Sequence, residues 1–354
     1  MATIRDVAER AGVSTATVSR ALNDRGYCSG AVRERVRAAA EALGYVPNAM
    51  ARGLKTRQSR LIGLLAPDPA EPAFCVVAQE VERVAAERGF QVLLGIGRGD
   101  PAREEASLDQ MLARNVDGLL IAPAGAPDAP VRRAVAAGIA AVVIADALGE
   151  PVVDAVRADN VGGSRQLAAH LLGLGHRRIA LVNGRATSTA GREREQGFRE
   201  AHAEAGAPID ESLIRHGGWE TDDAAGLVAA LLREPARPTA IVAASAPLAV
   251  GAMRALRAAG CRVPEDVALT SFDDVPLAAE FDPFLTTVVP PTATIGRLAA
   301  TMLLDRIAGD VVSSPREIVV PVTIEVRRSC GARSALWRTP PPLGIPGVEV
   351  MVAG

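Results

Sequence analysis

Lysine is almost missing from this 354-residue chain: Lys55 stands alone among 39 basic residues. The accompanying wealth of Arg, Ala and Gly reflects a GC-rich genome and carries no functional message. Cysteine is sparse and scattered. Cys28, Cys75, Cys261 and Cys330 form no CxxC and no metal-ligand spacing, which reads as reduced thiols of a cytoplasmic protein. No apolar run reaches the ~20 residues needed to span a membrane, and residues 2–25 are thick with charge where a secretion signal would be apolar. The histidines His170, His176, His202 and His216 make no HExxH, and no Gly-x-Ser-x-Gly elbow occurs. Gly95-Ile96-Gly97-Arg98-Gly99 follows a strand-like run but is not GxGxxG, and reads as a solvated loop. The expectation is a chain with no catalytic residues, no metal and no cofactor.

What the chain has is a division of charge. Residues 1–60 carry eleven Lys/Arg against five Asp/Glu, a net +6, while the remainder carries 28 against 36, a net −8. A basic head on an acidic body suits local contact with phosphate, since only the head should adhere to nucleic acid. The length suits a small head plus a two-part body.

Within the head, Ile4, Val7, Ala8 and Ala11 recur at helical spacing before Gly12-Val13 breaks the run. Ser14 is a good N-cap for a second helix whose inward positions are Val18, Ala21 and Leu22. Two short helices joined by a Gly-containing turn match the helix-turn-helix, whose second helix enters the DNA major groove. That second helix offers small polar residues followed by Arg20, and an arginine can donate two bonds to guanine. An ordinary helical hairpin would show the same spacing. A third amphipathic segment runs from Ser29 through Val32, Val36, Ala40 and Leu43.

From Leu61 onward, short apolar runs alternate with amphipathic ones of about a dozen residues. Strands are expected at 61–65, 91–94, 118–121, 141–144, 179–182, 240–243 and 267–270. Near-continuous apolar strands separated by helices indicate parallel sheets covered on both faces. Such sheets bind ligands beyond the carboxyl ends of their strands.

The stretch Asp6-Val7-Ala8, Gly12-Val13-Ser14 and Thr17-Val18-Ser19-Arg20, followed by Gly44-Tyr45-Val46-Pro47-Asn48 and Ala51-Arg52-Gly53-Leu54, resembles the lactose-repressor family of bacterial transcription regulators. The likeness runs to about residue 328. It implies a small all-α helix-turn-helix head joined by a hinge helix to a bilobed α/β body like that of periplasmic binding proteins, with two parallel sheets flanked by helices. The expected parts are a head at 1–46, a hinge and linker at 47–59, and a first lobe at 60–160 plus 289–320. A second lobe follows at 161–288 plus 321–330, with crossings near 160, 288 and 321, and 331–354 form a Pro- and Gly-rich tail expected to be disordered. That tail has no leucine heptad on which to build a tetramer.

The resemblance also implies residues. The DNA-facing set is Thr3, Ser14, Thr15, Ala16, Thr17, Ser19, Arg20, Asn23 and Ser29 in the head, and Asn48, Ala51, Arg52, Leu54 and Lys55 in the hinge. A helix of barely two turns does not persist alone, and Gly53 weakens it by roughly 1 kcal/mol. It should fold only when paired with a second copy on DNA, where Leu54 would wedge a minor-groove base step; packing of Leu54 on the body is the alternative. The partners implied are a near-palindromic double-stranded operator, a second copy of the chain as a homodimer, and a small-molecule effector, with no membrane.

For the effector cleft, Arg194 and Asp273 match the family's ligand-binding arginine and aspartate. Trp219 matches a place where an aromatic ring meets a sugar, and Phe74 the apolar wall. An arginine fork, a carboxylate and a flat ring are what a polyol needs. Each has a plainer reading: a surface helix charge for Arg194, a turn residue for Asp273, ordinary packing for Trp219. Two departures stand out. Ser245-Ala246 occupies the place of a common Asn-Asp pair, and Asp146 is kept while the following arginine is replaced by Ala147. A smaller or less hydroxylated ligand, such as a pentose, a small polyol or an acid, would fit these losses. The expectation is therefore an effector-controlled DNA-binding repressor, the alternative being a ligand-binding receptor or a regulator that has lost effector response.

Overall fold

The structure, a computed structural model, describes residues 2–22, 27–46, 58–66, 72–97, 100–123, 128–146, 152–275, 284–310 and 314–332. Asn23, Asn48, Ala51, Arg52, Leu54 and Lys55 lie outside the described residues, as do residues 333–354 of the tail. The chain divides into two compact units, Met1–Arg60 and Leu61–Gly354.

The first unit is three helices: α1 (Ile4–Ala11), α2 (Thr15–Leu22) and α3 (Gly30–Ala42). Thr3 caps α1 reciprocally. Its hydroxyl accepts from the Asp6 amide, and the Asp6 carboxylate accepts from the Thr3 amide at 2.7 Å. Gly12 ends α1 with a φ of +65°, a left-handed turn that a side chain would strain. Ser14 then opens α2, its Oγ accepting from the Thr17 amide at 3.1 Å. Val7, Ala8, Ala11, Val18, Ala21, Val36, Ala39 and Ala40 are buried together. Most are small, so the helices approach closely with little apolar volume.

The second unit is α/β. Its strands are β1 (Leu61–Ala66), β2 (Gln91–Ile96), β3 (Gly118–Ile121), β4 (Ala140–Ile144), β5 (Asp154–Ala158), β6 (Ile179–Asn183), β7 (Ile214–His216), β8 (Ala240–Ala243), β9 (Ala268–Phe272), β10 (Thr286–Val289), β11 (Glu317–Val320) and β12 (Thr323–Glu325). Its helices are α4 (Pro72–Glu87), α5 (Pro101–Ala113), α6 (Asp128–Ala136), α7 (Asn160–Gly173), α8 (Thr189–Glu204), α9 (Thr221–Leu231), α10 (Ala246–Ala258) and α11 (Thr292–Ala308). Two six-stranded sheets result, ordered β11-β5-β4-β3-β1-β2 and β12-β10-β9-β8-β6-β7.

All seven apolar runs singled out above are strands. The expectation of purely parallel sheets needs one correction: β12 pairs antiparallel with β10. Direction explains it. Strand β11 runs parallel to β5 toward the boundary between the sheets, and only two residues, Pro321 and Val322, separate it from β12. The chain continues straight into the second sheet and so runs against strands that come toward the boundary. A parallel partner would need a crossover of a dozen residues or more.

Helix α11 follows β10 of the second lobe yet packs with α4, β3, β4 and β5 of the first. The chain thus passes between the lobes three times, after Ala158, after Val289 and after Val320. Asp154, fully buried at the start of β5, binds the first lobe's late segments to its early sheet. It accepts from Arg306 at 2.7 and 3.1 Å, from Arg316 at 2.9 Å and from the Arg316 amide at 2.8 Å. Among the described residues, no helix is long and apolar enough to cross a membrane, and no group of three or more His, Cys, Asp or Glu could hold a metal ion.

Candidate effector cavity and DNA-reading helix

A cavity of about 250 Å³ opens beyond the carboxyl ends of strands from both sheets. Phe74, Asp146, Arg194, Trp219, Ser245 and Asp273 all line it. They arrive from six separate segments of the chain, all but Arg194 at a strand end or a helix start.

Arg194, on the first half of α8, is the centre of the polar side. Its Nε donates to Asn160 Oδ1 at 2.9 Å, and Nη1 donates to the Ala244 carbonyl. The guanidinium lies 3.7 Å from the Phe272 ring centroid and 5.6 Å from that of Trp219. Planar arginine stacks well on aromatic faces, so stacking and two hydrogen bonds together hold it in this orientation. Asp273 Oδ2 stands 3.6 Å from Nη1. Burial pushes the Asp273 carboxyl above its ordinary value, and the facing arginine opposes the shift. Two of the cavity's carboxylates sit on or beside unusual backbone: Asp273 has a φ of +68°, and Ala145, next to Asp146, a φ of +64°. Such conformations are uncommon away from glycine and concentrate at ligand sites. The Asp273 carbonyl is held by the hydroxyls of Thr287 and Ser271 at 2.8 and 3.1 Å.

Ser245 is only partly available. Its Oγ caps α10, accepting from the Leu248 amide at 3.4 Å. Phe74 is buried on α4 and forms the apolar wall with Val77, Ile144 and Ile295. Trp219 precedes α9, whose N-cap Glu220 also reaches the cavity.

Sequence reasoning did not single out Asn160, Phe272, Arg185, Thr187 or Ser188, although the first orients Arg194, the second stacks beneath it and the others line the cavity. One signal pointed at Asn160: Asp159 caps α7 by accepting from the Gly162 amide, so Asn160 opens a helix just past a strand's carboxyl end, where α/β sheets bind ligands.

In the head, Ser14, Thr15, Ala16 and Arg20 are exposed, while Thr17 and Ser19 are half-buried. Ser14 and Thr17 hydroxyls bond each other at 2.9 Å, and Arg20 Nε folds back onto the Ala16 carbonyl at 3.4 Å. Ser29 is exposed and is the N-cap of α3, but makes no side-chain cap bond. Thr3 is exposed and already engaged with Asp6. Tyr27, which sequence reasoning passed over, is 92% exposed.

Residues 3–48 match the family model for bacterial regulatory proteins of the lacI family, and residues 168–330 match a periplasmic binding protein-like domain. The HTH-type transcriptional regulator CelR of Thermobifida fusca is 37% identical over 334 residues, covering 92% of this chain and 98% of CelR. A solved CelR–cellobiose complex is 36% identical with a TM-score of 0.71, over 93% of this chain and 100% of that one. The Lac repressor dimer bound to operator and the anti-inducer ONPF gives a TM-score of 0.81 at 29% identity, covering 93% and 99%. This chain belongs to the lacI family of bacterial regulatory proteins.

Proposed function

We propose that this protein is a sequence-specific DNA-binding transcriptional repressor whose operator affinity is set by a small polyhydroxylated effector in the cavity between its lobes. One observation carries the effector half of the reading. A guanidinium held by Asn160, Ala244 and Phe272 faces the carboxylate of Asp273 and the ring of Trp219 inside the cavity. That set offers donors, acceptors and an apolar face at once, which is how a sugar or related metabolite is held. The relative solved with cellobiose supports the same class. Because Ser245 Oγ already accepts from the Leu248 amide and Ala246 has no polar side chain, the effector draws fewer bonds from that side than an Asn-Asp pair would supply.

The DNA half rests on α2, with Arg20 reading a base or anchoring the helix and Thr15 and Ala16 setting operator preference. A homodimer on inverted half-sites, with Leu54 wedging the centre, completes the reading, as does a cytoplasmic location without catalysis. Leu54→Ala should reduce DNA bending while leaving effector binding intact, and an unchanged bend angle would remove the wedge.

The test is a sugar and polyol screen, cellobiose first, read by thermal shift and by Trp219 emission in a Trp337→Phe background. Binding that is lost in Arg194→Ala supports the reading. Uptake of none of these compounds, nor of small organic acids, would favour the alternative of a regulator that has lost effector response.

A further inference from the structure

Four side chains form an unbroken path from the cavity to the opposite lobe. Arg194 Nε donates to Asn160 Oδ1 at 2.9 Å, Asn160 Nδ2 donates to Glu193 Oε2 at 3.0 Å, and Arg157 Nη1 donates to the same Glu193 oxygen at 2.7 Å. Arg194 and Glu193 are neighbours on α8 of the second lobe. Arg157 belongs to β5 of the first lobe and is tied there to Glu317 of β11. Asn160 begins α7, two residues after the chain leaves β5.

The middle of the path has one orientation. Arginine only donates and an ionised glutamate only accepts, so the Asn160 amide must turn its oxygen to Arg194 and its nitrogen to Glu193. The Arg157–Glu193 pair is largely removed from water, with side chains 14% and 18% exposed. Shielding makes such a bond far less sensitive to salt than a surface pair. A shift of Arg194 off Asn160 releases the amide, and the carboxylate of Glu193 is then shared differently with Arg157.

We propose that Asn160 and Glu193 are positioning residues that couple the state of Arg194 in the cavity to the Arg157 tie between the lobes. The functional side of this statement rests on the cavity being an effector site. The physical side does not, and it is tested without ligand.

Hydrogen exchange is measured on the full-length protein over residues 154–162 and 314–322, which carry β5 and β11. The variants are Arg157→Gln, Glu193→Gln, Arg194→Gln and the double variant Arg157→Gln/Arg194→Gln. Each single change should speed exchange several-fold in both segments, and the double should be no faster than the faster single, because both cut one path. Asn160→Asp keeps the side chain's shape but turns a carboxylate toward Glu193, so it should act like Glu193→Gln even if Arg194→Gln fails to fold. The proposal is overturned if Asn160→Asp or Arg194→Gln leaves 154–162 and 314–322 unchanged. It is equally overturned if the effects of Arg157→Gln and Arg194→Gln multiply as independent sites do. Cellobiose is then added to wild type with calorimetry in parallel. Failure of cellobiose to bind removes that sugar as the effector and leaves the coupling standing, since the ligand-free comparison is separate from it.

Discussion

The indole of Trp219 rests so close to Gly184 that a methyl carbon at residue 184 would stand 2.2 Å from its Cε2. No L side chain fits there without moving the ring, and the ring is a wall of the cavity. Gly184→Ala should therefore push Trp219 inward or out to solvent, shift its emission, and cost roughly 1–3 kcal/mol by overpacking. Urea unfolding and fluorescence measure both effects. Wild-type stability together with unchanged emission would show that the ring is not seated on this glycine.

Arg194 is the cavity residue whose loss should reach furthest. Arg194→Ala strips a charge partner from Asp273 and leaves the buried Ala244 carbonyl without its donor. The Asp273 carboxyl, already raised by burial, should rise further. Loss of one partner of a shielded pair costs on the order of 3–5 kcal/mol. Asp273→Asn in the Arg194→Ala background should recover part of that loss, which thermal unfolding would register.

Acid stability of the body should hinge on Asp154. Burial works against its ionisation, but hydrogen bonds from Arg306 and Arg316 outweigh it and draw the carboxyl from 3.8 down to about 2. A depressed carboxyl stabilises the fold fully above the unfolded value and loses that contribution as pH falls through the folded one. The window is thus between 3.8 and about 2, and the contribution is about 2 kcal/mol. Asp154→Asn should unfold more readily at neutral pH and show a shallower loss of stability across that window. Parallel acid titrations followed by circular dichroism would reveal it.

On the proposed DNA-reading helix, Arg20 is the residue with a decisive test. Arg20→Ala should cost roughly 1–3 kcal/mol on a specific site selected from genomic DNA. Random duplex should lose far less, apart from a shallower salt slope if the contact is to phosphate. Equal losses on both, with folding intact, would remove Arg20 from base reading.

Legibility from sequence followed the local signals. Strands such as 118–121 and 240–243 are apolar at every position and buried at every position, so composition alone reveals them. Strand β5 hides because Arg157 interrupts it, and β11 and β12 because edge positions alternate between exposed and half-buried. Arg194, Asp273 and Trp219 were named through a family pattern. Their surroundings were not, because the Asn160 amide, the Ala244 carbonyl and the Phe272 ring converge on one guanidinium from segments more than 30 residues distant in the chain. Such convergence is a property of packing and leaves no local trace.

The late return of α11 and β11 to the first lobe governs how this molecule can be made. Strand β5 leaves the ribosome early, yet its edge partner β11 begins at Glu317 and the guanidinium groups that neutralise Asp154 belong to Arg306 and Arg316. At bacterial elongation speeds of ~5–20 residues per second, that interval lasts roughly 10–30 s. During it the nascent first lobe carries an open sheet edge and an uncompensated carboxylate, a state in which chaperone capture competes with misassembly. Truncations before residue 316 should for that reason accumulate as insoluble or proteolysed fragments rather than as a folded half.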